Sequence, residues 1–321
     1  MRLPAPRGPY SEELFDSLAN RTRLFAPPDE LADDDRHIAL WALYELHYRG
    51  FAGVDEDREW DPVLLRARAG LEAPFEADLR ARSAEVVKRT LSEGSGVVEQ
   101  LGIIATRRGS GLPTFLERSA TEAQFAEFLT MRSVYTLKES DPHAWALPRI
   151  THHAKAALAE LLYDEFGSGS GNRVHQELFA AALREAGLDP IYGALVDQAP
   201  AHVLAVNNAM SLFGLHHRLR GALLGHLAAF EMTSTTPCRR IAKGAQRLGL
   251  GPAVLRYYEE HIEADAVHEQ LASRSICGAL VDAEPALHDD VLLGAATCVV
   301  LEKTSGIAML KAWADGRSAL R

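Results

Sequence analysis

From Asp34 onward, apolar residues recur every three to four positions, and glycine and proline cut this pattern into segments of roughly 10 to 25 residues. That period turns one face of an α-helix toward a core. No segment alternates as a half-buried strand does, and no internal repeat is visible. The expected fold class is therefore all-α. Breaks are expected at Gly50, Gly94, 109–113, Asp141-Pro142, 167–171, Asp189-Pro190, Pro237 and 249–252. Early helices are expected over 12–20, 34–49, 62–70 and 74–93, the first of them carried on a Pro-rich mobile arm of about thirty residues. No linker separates the first hundred residues from the rest. They are expected to pack on the main domain, with 1–115 as an N-terminal helical extension and 116–321 as the core domain.

Composition narrows the function classes. The 321 residues are 47% hydrophobic, enough for a sizeable core. The net charge of -10 disfavours non-specific nucleic-acid binding and an anionic membrane surface. Cys238, Cys277 and Cys298 have no CxxC spacing, as expected in a reducing cytoplasm. The N-terminal residues lack the apolar core of a signal peptide. The apolar run at 291–301 is too short to span a bilayer. A soluble, cytoplasmic protein is expected, without nucleic-acid or membrane partners.

Four segments could carry chemistry. In YYEEHIEADAVHE, His261, Asp265 and His268 stand at i, i+4 and i+7, within about 60° of one another on a helix. Tyr258 and Ile262 flank the same stripe, so it points inward, and buried imidazoles and carboxylates need compensation that a metal can give. A solvated face with incidental histidines is the bland alternative. Glu165 ends one helix and His175 begins another across a Gly-Ser-Gly-Ser-Gly break, which is either a bend aiming both at one point or a plain connector. A phosphate loop is disfavoured, since no strand precedes it and no Lys-Ser/Thr follows. Glu231 lies in a stretch apolar all round, with no Lys or Arg within one turn, which favours metal binding over a buried structural carboxylate. Glu139 follows a lysine and alone reads as a surface residue. Together, four carboxylates and three histidines on separate helices form the inventory of a dinuclear iron site in a bundle. The paired Glu-x-x-His repeats of ferritin-like proteins are missing.

The runs LKESDPHAWALPRI, ELLYDEFGSGS, VHQELF, NNAMSLFGLHHRLRGALLGHLAAFE and YYEEHIEADAVHE, in this order, resemble the haem-oxygenase-like diiron oxidases and oxygenases, the iron-containing redox enzymes. The resemblance covers about 121–321, and YELHYRGFAGVDEDREWDPVLLRAR is similar to the N-terminal helices of longer members. It implies a haem-oxygenase-like helical bundle with additional N-terminal helices, two Fe ions as cofactor and O2 as cosubstrate. It further implies that Glu165, His175, Glu231 and His268 hold one iron and Glu139, His261 and Asp265 the other, with Glu165 or Glu231 bridging. The helix bearing His261 to His268 is implied to be the mobile one, its iron the weaker.

The activity so implied is oxidation of a small substrate, most simply a free amino acid, by N-oxygenation or by hydrogen abstraction leading to desaturation, C–C cleavage or ring closure. Specialised metabolism is the expected setting. An amino-acid carboxylate needs a cation, and Arg149, Arg218 and Arg220 are candidates by position, with Asn207 as a pocket residue; surface charge is the rival reading of each arginine. His226, Tyr257 and Tyr258 are either partners of the ligands or ordinary core. An external electron donor and a homodimer are possible partners. The alternatives are a non-redox enzyme of the same fold, for which no cysteine has an activating neighbour, or a non-catalytic metal-binding helical protein. Manganese or a mixed pair also fits the donor set.

Overall fold

The computed structural model describes residues 1–107 and 109–321; at 263–266 it describes the backbone and not the side chains. The chain is helical throughout, with no strand among the described residues. In chain order the helices are α1 (Pro9–Asn20), α2 (Asp33–Glu45), α3 (Pro62–Glu93), α4 (Val97–Ala105), α5 (Leu112–Arg118), α6 (Glu122–Thr136), α7 (Asp141–Ala144), α8 (His152–Glu165), α9 (His175–Glu185), α10 (Ala201–Leu215), α11 (Arg220–Arg247), α12 (Pro252–Gln270), α13 (Ala279–Ala283) and α14 (His288–Ala314). A π-helix, Leu271–Gly278, continues α12 into α13.

The centre of the bundle is α11 against α14, with α12 on another side of α11 and α9 beyond it. Small residues make the central contact close. A Cβ on Gly225 would overlap the Val291 carbonyl, and one on Gly294 would overlap the Ala222 carbonyl. Only glycine lets the two backbones meet this closely. The helical stretch Pro285–Ala314 is longer than the apolar run at 291–301 suggests. It is long and apolar enough to cross a membrane, and 61% of its most apolar window is buried inside the protein.

Three local expectations change. α3 runs unbroken through Pro74, and α11 runs through Pro237. Packing along long neighbours outweighs the cost of one missing backbone hydrogen bond in each. The first thirty residues are not a loose arm. Tyr10, Leu14, Phe15 and Leu18 of α1 are buried, Arg7 donates to the carbonyls of Val196 and Ala199, and Asp35 accepts from the amides of Tyr10 and Ser11.

The N-terminal helices lean on those that follow: α2 packs on α10, and α3 on α14. A buried ion pair ties the two regions, Lys138 Nζ to Glu45 Oε1, with Tyr192 Oη donating to the other Glu45 oxygen at 2.6 Å. Lys138 also lies 4.3 Å from the Tyr48 ring centroid. The Lys138-Glu139 dipeptide is therefore interior, contrary to its surface-like appearance in the sequence.

Candidate metal centre

The break after α8 is a bend with a purpose. Gly167, Ser168 and Gly169 all have positive φ, and a Cβ on Gly167 would collide with the Ser170 carbonyl and the Val174 amide. The chain reverses tightly, so the last residue of α8, Glu165, and the first of α9, His175, face one another: Glu165 Oε2 is 3.1 Å from His175 Nδ1. Ser140 repeats the device. It sits in the left-handed region at φ 69°, between α6 and α7, and donates its hydroxyl to Glu165 Oε2 at 3.0 Å. Glu139, immediately before it, is thereby turned inward and buried.

Helix α12 supplies two imidazoles and α11 a carboxylate. His261 Nε2 is 3.5 Å from Glu139 Oε2, and the His261 and His175 ring centroids are 4.5 Å apart. His268 Nδ1 is 3.4 Å from Glu165 Oε1 and 3.6 Å from Glu231 Oε2. The six residues fall into two groups, Glu139–His175–His261 and Glu165–Glu231–His268, each with three donor atoms within 4.8 Å of one another, and all six are buried. His175 thus stands with Glu139 and His261 while also meeting Glu165, a different partition from the one implied by resemblance. The Asp265 side chain lies outside the described residues.

The spacing fits a metal. Two ligands each about 2.1 Å from one ion, at octahedral or tetrahedral angles, stand about 3.0–3.4 Å apart; the nearest nitrogen–oxygen separations here run from 3.1 to 3.6 Å. Nδ1 of His175 and of His268 make no hydrogen bond despite these approaches. A buried ring nitrogen so placed, facing carboxylates, can take a metal cation in place of its proton. Nitrogen and carboxylate oxygen together suit iron, manganese or zinc.

Neighbouring groups fix the donors. His261 Nδ1 is 2.8 Å from the Tyr257 carbonyl, which sets the tautomer with the proton there and leaves Nε2 facing Glu139. Tyr257 Oη donates to Glu139 Oε2 at 3.2 Å. His268 Nε2 is 3.5 Å from Asp164 Oδ2. Of these partners only Tyr257 is singled out by the sequence, as either a partner of the ligands or ordinary core. At Glu165, His175 and His268 burial works against charge, yet the ion partners win. Glu165 is held well below the usual carboxylate range by His175, His268 and His261. Glu165 and Glu231 lift His268 to about 11, and Glu165 also raises His175.

His226 lies apart from this set. It is buried 6.0 Å from the His143 ring, and no nitrogen of either ring finds a hydrogen bond among the described residues. Burial pushes His143 down to about 4 and His226 to about 3, so both stay neutral.

A cavity of about 1090 Å³ opens onto the first group, lined by Glu139, His261 and Tyr257 at its base and by Phe179, Phe230 and Tyr258 on its walls. None of the four substrate candidates is among the described residues lining it. Arg149 donates to the Gly214 and Leu215 carbonyls at the end of α10, and Arg218 holds Glu76 with two nitrogens. Arg220 pairs with Glu284, and Asn207 donates to the Val134 carbonyl at 3.0 Å. Among the cations that do line it is Arg132, paired with Glu302 at 3.1 Å. Its i, i+7 relation to Glu139 was the available signal.

Comparison with known proteins agrees with this centre. A crystal structure of a CADD-like protein of unknown function from Nostoc punctiforme PCC 73102 superposes with a TM-score of 0.52 at 16% identity, over 65% of this chain and 94% of that one. The likeness establishes a shared fold. No curated protein matches the sequence. Residues 126–303, more than half of the 321, match the family described as iron-containing redox enzyme. They span all six clustered residues, and the all-α chain belongs to that haem-oxygenase-like family of iron-containing redox enzymes.

Proposed function

We propose that this protein is a non-haem diiron oxidase or oxygenase that uses O2 to oxidise a small substrate, a free amino acid. The observation that carries the reading is the orientation of Glu165, whose two oxygens address one histidine of each donor group, His175 and His268. That is the stance of a carboxylate bridging two ions. Glu139, His175 and His261 would hold one iron, Glu231 and His268 the other, with Asp265 an added ligand on α12. The pair supplies electrons and Lewis acidity for O2 reduction when bound.

The chain's own residues do the rest. Tyr257 keeps Glu139 aimed by its hydroxyl and His261 by its carbonyl. Phe179, Phe230 and Tyr258 limit water around the base of the cavity. Substrate would approach from the Glu139–His261 side, since these two donors line the cavity. N-oxygenation, desaturation, C–C cleavage and ring closure are all open to such a centre, with an external electron donor where the substrate does not supply every electron. Residues 116–321 would form the metal-binding domain and 1–115 an extension packed on it. A cytoplasmic setting accords with three free, buried cysteines.

Oxygen uptake tests the proposal. The iron-loaded protein should consume O2 faster with a pool of amino acids than without. Glu165→Gln should abolish that stimulation. Stimulated uptake that is equal in the metal-free protein would end the reading.

A further inference from the structure

Arg132 stands on α6 one turn before Thr136, Glu139 follows three residues past the end of that helix, and all three line the same cavity. Arg132 and Thr136 share one face of α6, about 6 Å of helical rise apart, and Glu139 lies in the turn that follows. The rings of Tyr135 and Phe230 each lie 5.9 Å from the Arg132 guanidinium carbon. Burial disfavours the Arg132 charge, but Glu302 and other acidic neighbours, Glu139 included, more than restore it. Glu302 is its one hydrogen-bonding partner among the described residues, and takes a single guanidinium nitrogen. The other two have no acceptor among the described residues. The remaining cations of the cavity are committed or exposed: Arg89 pairs with Glu93, Arg107 donates to the Val86 carbonyl, and Lys303 is exposed.

A half-buried cation with unused donors is a carboxylate receptor, because guanidinium binds carboxylate through two parallel hydrogen bonds. The partnering anion decides which carboxylate is accepted. A simple fatty acid would bring its charge against Glu302 as well as Arg132. A zwitterion would answer both charges, carboxylate to Arg132 and ammonium to Glu302. We infer that Arg132 and Glu302 form the charge-reading end of the cavity and bind the carboxylate and ammonium of an amino acid, whose chain extends toward Glu139 and His261. The position facing the metal donors is then several bonds from the anchored charges, so chemistry falls on the side chain and not at the α-carbon. The last step rests on the oxidase reading; the binding itself needs no iron.

The test is binding to the full chain, metal-free and after anaerobic iron loading, by calorimetry and thermal melting. The probes are the twenty standard L-amino acids and L-norleucine, with hexanoate and hexylamine as norleucine lacking one charge or the other. At least one amino acid should bind, and norleucine should bind roughly tenfold or more tightly than either analogue. Arg132→Met should weaken amino-acid binding by a similar factor, with Arg132→Lys restoring part of it. Glu302→Gln should weaken norleucine while strengthening hexanoate, an inversion that a merely structural role would not produce. That inversion stands even if the Arg132 variants fail to fold. No binding by any amino acid, hexanoate equal to norleucine, or no inversion in Glu302→Gln would overturn the inference. Absence of any amino-acid binding would remove the amino-acid substrate as well, whereas the other two outcomes leave amino-acid-stimulated O2 uptake free to succeed, and failure of that uptake leaves the metal-free binding result intact.

Discussion

Glu165 Oε2 lies 3.1 Å from His175 Nδ1, across a turn that only a glycine-rich segment can make. The other oxygen of the same carboxylate faces His268 at 3.4 Å. One side chain therefore serves both donor groups. Glu165→Ala should lower bound iron from two per chain to fewer than one, whereas Glu139→Ala should leave about one. Metal analysis after anaerobic loading and gel filtration reads the difference. Equal losses in the two variants would remove the bridging role.

The histidines give a pH dependence with a definite sign. In the metal-free protein, burial lowers His268, and Glu165 and Glu231 more than reverse it, to about 11 against 6.5 in an unfolded chain. Its contribution to stability is fully present below about pH 6.5 and lost as pH rises toward 11. Glu165 behaves oppositely: its contribution is present above about 4.5 and lost as pH falls below it. Melting of the metal-free protein should therefore weaken from neutral toward alkaline pH. Iron must displace the His268 proton, so iron affinity should rise over the same interval. Titrations from about pH 6 to 9 check both trends, and an iron affinity that falls with pH would contradict the assignment of His268.

Tyr257 donates to Glu139 and accepts from His261, so its hydroxyl can be removed without touching a donor atom. Tyr257→Phe should cost about 1 kcal/mol of fold stability. It should weaken one iron by about 10- to 100-fold and leave the other unchanged. Two-phase iron titration separates these effects from general destabilisation.

The close crossing of α11 and α14 makes a demand that has nothing to do with metal. A methyl at Gly225 meets the Val291 backbone, which cannot move aside as a side chain could. Gly225→Ala should destabilise the fold by about 3 kcal/mol or more. A glycine-to-alanine change in an exposed helix would gain about 1 kcal/mol instead. Urea unfolding followed by circular dichroism decides the sign.

Much of this architecture was legible because helical periodicity and ligand chemistry are both local. The i, i+7 pair His261–His268 and the lone Glu231 in an apolar helix announce themselves in the sequence. The breaks at Pro74 and Pro237 misled, because long-range packing overrides a local helix breaker, and nothing local reports that packing. Glu139 looked like a surface residue because its lysine neighbour pairs with Glu45, 93 positions away. Arg149, Arg218 and Arg220 fall outside the described cavity lining for the same reason. Nearness in sequence to a donor does not say which way a side chain turns, and Arg218 turned to Glu76 on α3. Arg132 was overlooked because its link to the site is the cavity it shares with Glu139, not adjacency.

A reactive two-iron centre should signal its encounter with O2 in the visible spectrum. The most direct measurement is stopped-flow absorption after mixing O2 with anaerobic protein carrying two equivalents of Fe(II), with and without amino acids. At least one amino acid should accelerate the formation or decay of a transient visible band. Iron that stays ferrous, with no transient in either case, would contradict a reactive centre.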